Sequence, residues 1–110
     1  PSLKCNGELS KINSKVGLIT ADELALAGQA YKKLNTTTYL QENATDAWWW
    51  TLSPSNFYSS DAYVWCVRGS YDDLDTYNVG NPSGVRPSIS LKSTTNVTGN
   101  GTSEDPYVVE

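Results

Sequence analysis

The sequence predicts an α+β domain in which a short N-terminal helix sits against a mostly antiparallel, twisted β-sheet. Three observations carry that prediction. Thr20-Ala21-Asp22-Glu23 is a complete helix-start signal placed directly after the short apolar run Val16-Gly17-Leu18-Ile19. Ala62-Tyr63-Val64-Trp65-Cys66-Val67-Arg68 alternates small and large side chains as a strand does. The C-terminal half is broken repeatedly by Gly, Pro and Asn, the punctuation of short strands joined by turns. With 110 residues the chain has material for one compact domain and one core. The expected organisation is a segment over 1–15 tied to the body by a disulfide, followed by a single domain over 16–110.

Each element has its own warrant. Val16-Gly17-Leu18-Ile19 reads as a short buried strand. In the capping box after it, the Thr20 side chain accepts from the amide of Glu23 while Glu23 reaches back, and Asp22 suits the positive end of the helix dipole. The helix runs from Ala21 to about Ala27 and closes at Gly28 in the left-handed region. Residues 29–46 are polar and aperiodic, a long loop with room for a short strand at Thr37-Thr38-Tyr39-Leu40. Trp49-Trp50-Thr51-Leu52-Ser53 is strand-like and is expected to stop at Pro54, which has no amide to donate. A polar loop over 55–60 then leads into the 62–68 strand, whose two substantial faces mark it as central. The stretch from Gly69 to Asp75 reads as an acidic turn, with Thr76-Tyr77-Asn78-Val79 returning antiparallel. After a second turn at 80–84, Val85 to Leu91 forms another strand, with Pro87 at an edge or bulge, and Pro106-Tyr107-Val108-Val109 forms the last.

Composition excludes several function classes. Eight basic residues against twelve acidic ones give a net charge of −4, and the lysines are scattered, so the chain lacks the electrostatic footprint of a nucleic-acid binder. No apolar run is long enough to span a bilayer, so no membrane insertion is expected of these residues. The two cysteines, Cys5 and Cys66, fit a single bridge closing a loop of about 60 residues, worth roughly 4 kcal/mol in the chain-entropy account. The alternative is a pair of buried free thiols. The disulfide reading, with a Thr/Ser/Asn/Gly-rich surface, places the chain outside the cell or at its surface. Asn-x-Ser/Thr patterns occur at Asn35, Asn43, Asn96 and Asn100.

The absence of His removes the Ser-His-Asp and Cys-His arrangements and the usual His-containing zinc sites, and two cysteines cannot make a four-Cys site. No catalytic residues, no metal site and no cofactor are expected. Calcium is the one ion weighed, through Asp73, Asp75 and Asn78 with backbone carbonyls, but their spacing is not that of an EF-hand.

At Trp49-Trp50-Thr51-Leu52-Ser53-Pro54, Tyr63-Val64-Trp65, Gly69 and Gly84-Val85-Arg86-Pro87, the order of motifs resembles small bacterial surface domains with a W-T/L-x-S-P … G-V-R-P signature. Those domains are related to the formylglycine-generating-enzyme type of C-type lectin-like fold. Val16 to Glu23 and Gly101 to Val109 are also similar to that family's ends, so the resemblance spans about residues 15 to 110. It implies a compact lectin-like domain exported by Gram-positive bacteria, in some members after a pilin-like N-terminal helix. Under this resemblance Trp49, Trp50, Trp65, Gly84, Arg86 and Pro87 are structural. Gly84 would supply an unusual backbone turn, and Arg86 would clamp carbonyls or a carboxylate with its rigid fork.

The expected function is that of an extracellular, non-catalytic binding or adhesion module. Its ligand face would be the Tyr/Asp/Ser-rich region, with Tyr58, Asp61, Tyr71, Asp72, Asp73, Asp75 and Tyr77 contacting a glycan or a protein. The rival reading is structural: the head of a pilin-like or other surface-fibre subunit that packs against copies of itself.

Overall fold

The computed structural model describes residues 13–34, 38–42 and 47–110. The element order is β1 (Gly17–Leu18), α1 (Ala21–Leu26), α2 (Tyr39–Glu42), β2 (Trp49–Tyr58), β3 (Asp61–Arg68), β4 (Asp73–Asn78), β5 (Pro87–Ser88), β6 (Val97–Thr98) and β7 (Val108–Val109). This corrects the expected α+β class with its N-terminal helix against a sheet. Among the described residues the helices have six and four residues, and the body is mostly β, built of antiparallel sheets. The physical reason is length. Gly28 ends α1 with a φ of 109° after fewer than two turns, so the helix caps one corner of the sheet and cannot form a layer over it.

Where signals are local, the structure follows them. Thr20 is the N-cap of α1, its hydroxyl accepts from Glu23 N at 3.2 Å, and Thr20 N donates to Glu23 Oε2 at 2.7 Å. Those bonds to Thr20 hold the Glu23 carboxyl below its ordinary pKa, the backbone bond contributing most. β3 is central, with β2 on one side and β4 on the other. β1 pairs with β5 through Gly17 opposite Ser88 and Leu18 opposite Pro87.

Register divides the three-stranded sheet into two faces. Trp49, Val67 and Leu74 are directly opposite one another and share one face. With Leu24 of α1 they form the buried core, against which Ile19, Leu40 and Trp65 pack. Trp50, Cys66 and Asp75 are opposite one another on the other face, with Val64 and Tyr77 further along and Arg68 and Asp73 at its end.

Three expectations about elements are overturned. β2 does not stop at Pro54 but continues to Tyr58, because two register shifts flank Pro54 and carry its missing donor within an irregular stretch of an outer strand. The 55–60 loop therefore shrinks to a turn at Ser59 and Ser60. Tyr39 and Leu40 lie in α2 and not in a strand, with Gln41 N donating to Thr38 O at 2.8 Å; Thr37 lies outside the described residues. Between 85 and 91 only Pro87 and Ser88 are strand.

Gly84 is required for closeness and not for a left-handed turn. It donates to Trp48 O at 2.7 Å and accepts from Trp50 N at 3.0 Å, and a Cβ there would lie 3.0 Å from Trp48 O. β6 and β7 form a separate two-stranded hairpin in which Gly99, at φ 91°, leaves no room for a side chain against Pro106 O.

Candidate functional site

The candidate site is the outer face of the β2–β3–β4 sheet at its Arg68 end. Tyr77 of β4 lies between two indoles, with centroids 4.6 Å from Trp48 and 5.9 Å from Trp50. Arg68 continues the row. Its guanidinium carbon is 5.8 Å from the Trp48 centroid and 4.5 Å from that of Tyr71. Trp48, Trp50 and Tyr77 are half-buried and Tyr71 is exposed, so the rings are open to solvent while fixed by one another.

Strand register sets this arrangement. Arg68 is the last residue of β3 and Asp73 the first of β4, and the two are directly opposite. Arg68 Nε donates to Asp73 Oδ1 at 2.7 Å, and its Nη2 donates to Asp73 Oδ2. Asp75 Oδ2 lies 3.4 Å from Arg68 Nε, and Asp75 Oδ1 accepts from Thr76 N at 2.8 Å. Asp73 has no solvent exposure. Its hydrogen bond raises the Arg68 pKa further above its usual range.

Cys66 lies beneath this face as a free, fully buried thiol whose Sγ donates to Asp75 O at 3.4 Å. The Cys5 half of the expected Cys5–Cys66 disulfide lies outside the described residues, and the Cys66 thiol is sealed within the sheet. Burial, with the anions Asp75 and Asp73 outweighing the opposing pull of Arg68, pushes the Cys66 pKa up to about 12.

The seven ligand residues expected from the sequence do not form one surface. Tyr58 and Asp61 pair with each other at the β2–β3 turn, at the far end of β3 from Arg68. Asp61 and Arg68 are the two ends of the eight-residue β3, about 23 Å apart along the strand. Tyr71 and Tyr77 belong to the aromatic row, and Asp72 sits in the β3–β4 turn at a φ of 51°. Asp73 and Asp75 are not turn residues but buried strand residues engaged with Arg68, so the acidic turn ends at Asp72. Among the described residues no group of three or more His, Cys, Asp and Glu side chains is placed to hold a metal ion.

The residues expected to be structural lie as follows. Trp49 is in the core, and Trp50 is on the opposite face. Trp65 packs at the core edge and meets Tyr31 edge-on at 5.3 Å. Arg86 stands over the Trp49 ring at 5.1 Å, and its Nη1 donates to Leu40 O at 2.5 Å, which ties α2 to the sheet. Pro87 is in β5 opposite Leu18.

Sequence reasoning passes over Arg68. The available signal was an arginine closing a strand whose hairpin partner opens with Asp, but that signal is visible only once the register is known.

No curated protein matches the chain, and no solved structure does. Neither an activity nor a fold relation therefore comes to it from a relative. A family match covers residues 5–93, most of the chain. The chain belongs to that family, described as a domain of unknown function (DUF6273).

Proposed function

We propose that this chain is a non-catalytic recognition module, working outside the cell or at its surface, that holds a glycan or protein ligand on the Trp48–Trp50–Tyr71–Tyr77 face. The observation that carries the reading is the row itself: rings in mutual contact, open to solvent, on a sheet whose other face holds the core. Rings already held by neighbours lose little freedom when a ligand covers them, so their contact area goes into binding. Asp73 is sealed and Asp75 nearly so, which makes the acids a source of electric field beneath the rings and not direct ligand contacts.

The test is binding of the purified chain to glycan and protein arrays, repeated with Trp50→Ala and Tyr77→Ala. Loss of at least about tenfold in affinity for each variant is expected, in the range of interface hot spots, with the thermal midpoint monitored to confirm folding. Array ligands bound equally well by wild type and by both folded variants would overturn the reading.

A second reading, a self-assembling surface-fibre subunit, is favoured by a different region. The β2–β3 tip exposes Phe57 and Tyr58 at 71% and 70%, and the β6–β7 hairpin exposes Tyr107, Val108 and Val109. Concentration-dependent sedimentation that disappears in Phe57→Ser/Tyr58→Ser would support it, and a monomer at all concentrations would end it.

A further inference from the structure

We infer that the β6–β7 hairpin pairs along its β6 edge with the same hairpin of a second copy of this chain, giving a two-fold dimer. From 96 to 110 every residue is exposed except Pro106, which is half-buried, so neither face of the ribbon is packed on the body. Val97 and Val109 stand directly opposite each other at 44% and 53% exposure, and Val108 is exposed on the other face. A two-stranded ribbon by itself is marginal in water, and further strands with a shared apolar face are what stabilise such a unit. The hairpin is nonetheless shaped closely by its own turn. Asn100 N and Gly101 N both donate to Asp105 O, at 3.1 and 3.0 Å, and a Cβ at Gly101 would lie 2.7 Å from the Tyr107 ring.

Hydrogen-bond register decides what the ribbon offers. Glu110 N donates to Asn96 O at 3.3 Å, which makes Val97–Val109 the non-hydrogen-bonded kind of antiparallel pair. The N–H and C=O of Val97 therefore point away from β7 and have no partner among the described residues, and those of Val109 point away from β6 in the same way. The two edges differ in chemistry. β7 is flanked by Glu104-Asp105-Pro106 and by Glu110, the charges and proline that discourage strand pairing, whereas 93–102 around β6 holds no charge and no proline. Pairing β7 with its copy would bring the acids of two chains together, and pairing β6 with its copy does not. Antiparallel pairing about Val97 exchanges N–H···O bonds between the two Val97 residues and sets Val97 and Val109 of both copies in one apolar row across a four-stranded sheet. Each β6 edge is then occupied by the other, so the assembly closes at two where a fibre would continue. The dimer does not rest on the recognition reading; under that reading it carries two aromatic faces and binds a polymeric ligand more tightly than the monomer does.

The experiment is sedimentation equilibrium of the full chain from about 1 μM to about 1 mM, the span of transient association. The expected result is a mass that rises to twice that of the monomer and no further. Val97→Pro removes an N–H that the hairpin itself does not use, and Val97→Lys sets two like charges at the centre of the contact. Each should weaken the dimer by about tenfold or more, the cost of an unpaired group or a like-charge pair at the contact, with the circular dichroism spectrum unchanged. Val109→Pro, on the β7 edge, and Phe57→Ser/Tyr58→Ser, at the β2–β3 tip, should leave the dimer intact. A monomer at every concentration overturns the inference, as does a dimer that survives both Val97 variants. A mass that grows past two copies overturns the closed dimer in favour of the fibre. None of these results bears on array binding lost in Trp50→Ala and Tyr77→Ala, so this inference and the recognition reading fail separately.

Discussion

The two ends of the central strand are built on opposite principles. At the Arg68 end almost every group has a partner: Asp73 is sealed against the guanidinium, Asp75 is shared between Arg68 and a backbone amide, and Trp49, Val67 and Leu74 close the core beneath. At the Asp61 end, Phe57 and Tyr58 stand in solvent at the end of β2, next to a two-residue turn and beyond two register shifts. One strand thus runs from a dense, charged and apolar knot to a free tip. The contrast teaches that aromatic content alone does not mark a binding surface, because exposed rings without neighbours and open rings held by neighbours have different ordering costs.

The sharpest way to break the contrast is Arg68→Ala. It leaves Asp73 buried without its counter-ion, and a loss of about 3–5 kcal/mol in urea unfolding is expected, as for one-sided removal of a buried pair. A loss below about 1 kcal/mol, the range of surface pairs, would show that the knot is not an anchor.

Cys66 provides the next test, in a Cys5→Ser background so that only one thiol reports. Its pKa is raised from 9.0 to about 12 on folding, so the unfolded chain releases this proton first as pH rises. The contribution to stability is full below pH 9.0 and is lost progressively toward about pH 12. The native thiol should resist an aromatic disulfide reagent in mild alkali and react only after denaturant is added. Fast reaction in the native state would contradict its burial. In the parent chain, an intact mass two hydrogens light and corrected by reduction would establish the bridge to Cys5.

Thr20→Ala should cost about 1 kcal/mol, typical for an N-cap. The Glu23 carboxyl, held low by Thr20, adds stability that is present above its unfolded pKa and lost as pH falls through the folded one. The variant should therefore show a weaker acid dependence than the parent. The smallest effect is expected at the free tip, where Phe57→Ser should change stability by no more than about 0.5 kcal/mol, as for an exposed site without partners. A larger loss would mean that the tip is packed against something in solution.

These contrasts follow how far each signal reaches along the chain. The capping box at Thr20 and Glu23 and the alternation from Ala62 to Arg68 are complete within a few residues, and the structure has both as they read in sequence. Asp73 and Asp75 looked like turn acids because runs of Asp usually stay hydrated. Only pairing with Arg68 across the hairpin makes their burial tolerable. Pro54 looked like a strand end because a proline removes a donor, and whether that donor is needed depends on which side of β2 carries a partner.

By itself, then, the sequence determined the start and stop of α1, the central strand and its two faces, and the placement of one tryptophan of the Trp49–Trp50 pair on each face. Those properties are set by backbone stereochemistry and by side-chain periods of 3.6 and 2.0 residues. The tertiary structure alone decided the β2–β3–β4 register, the burial of Asp73 and Cys66, and the gathering of Trp48, Trp50, Arg68, Tyr71 and Tyr77 into one row. The reason is that strand register is a property of two chain segments at once. A shift of one residue would send every one of these side chains to the opposite face, and nothing within a single segment forbids that shift.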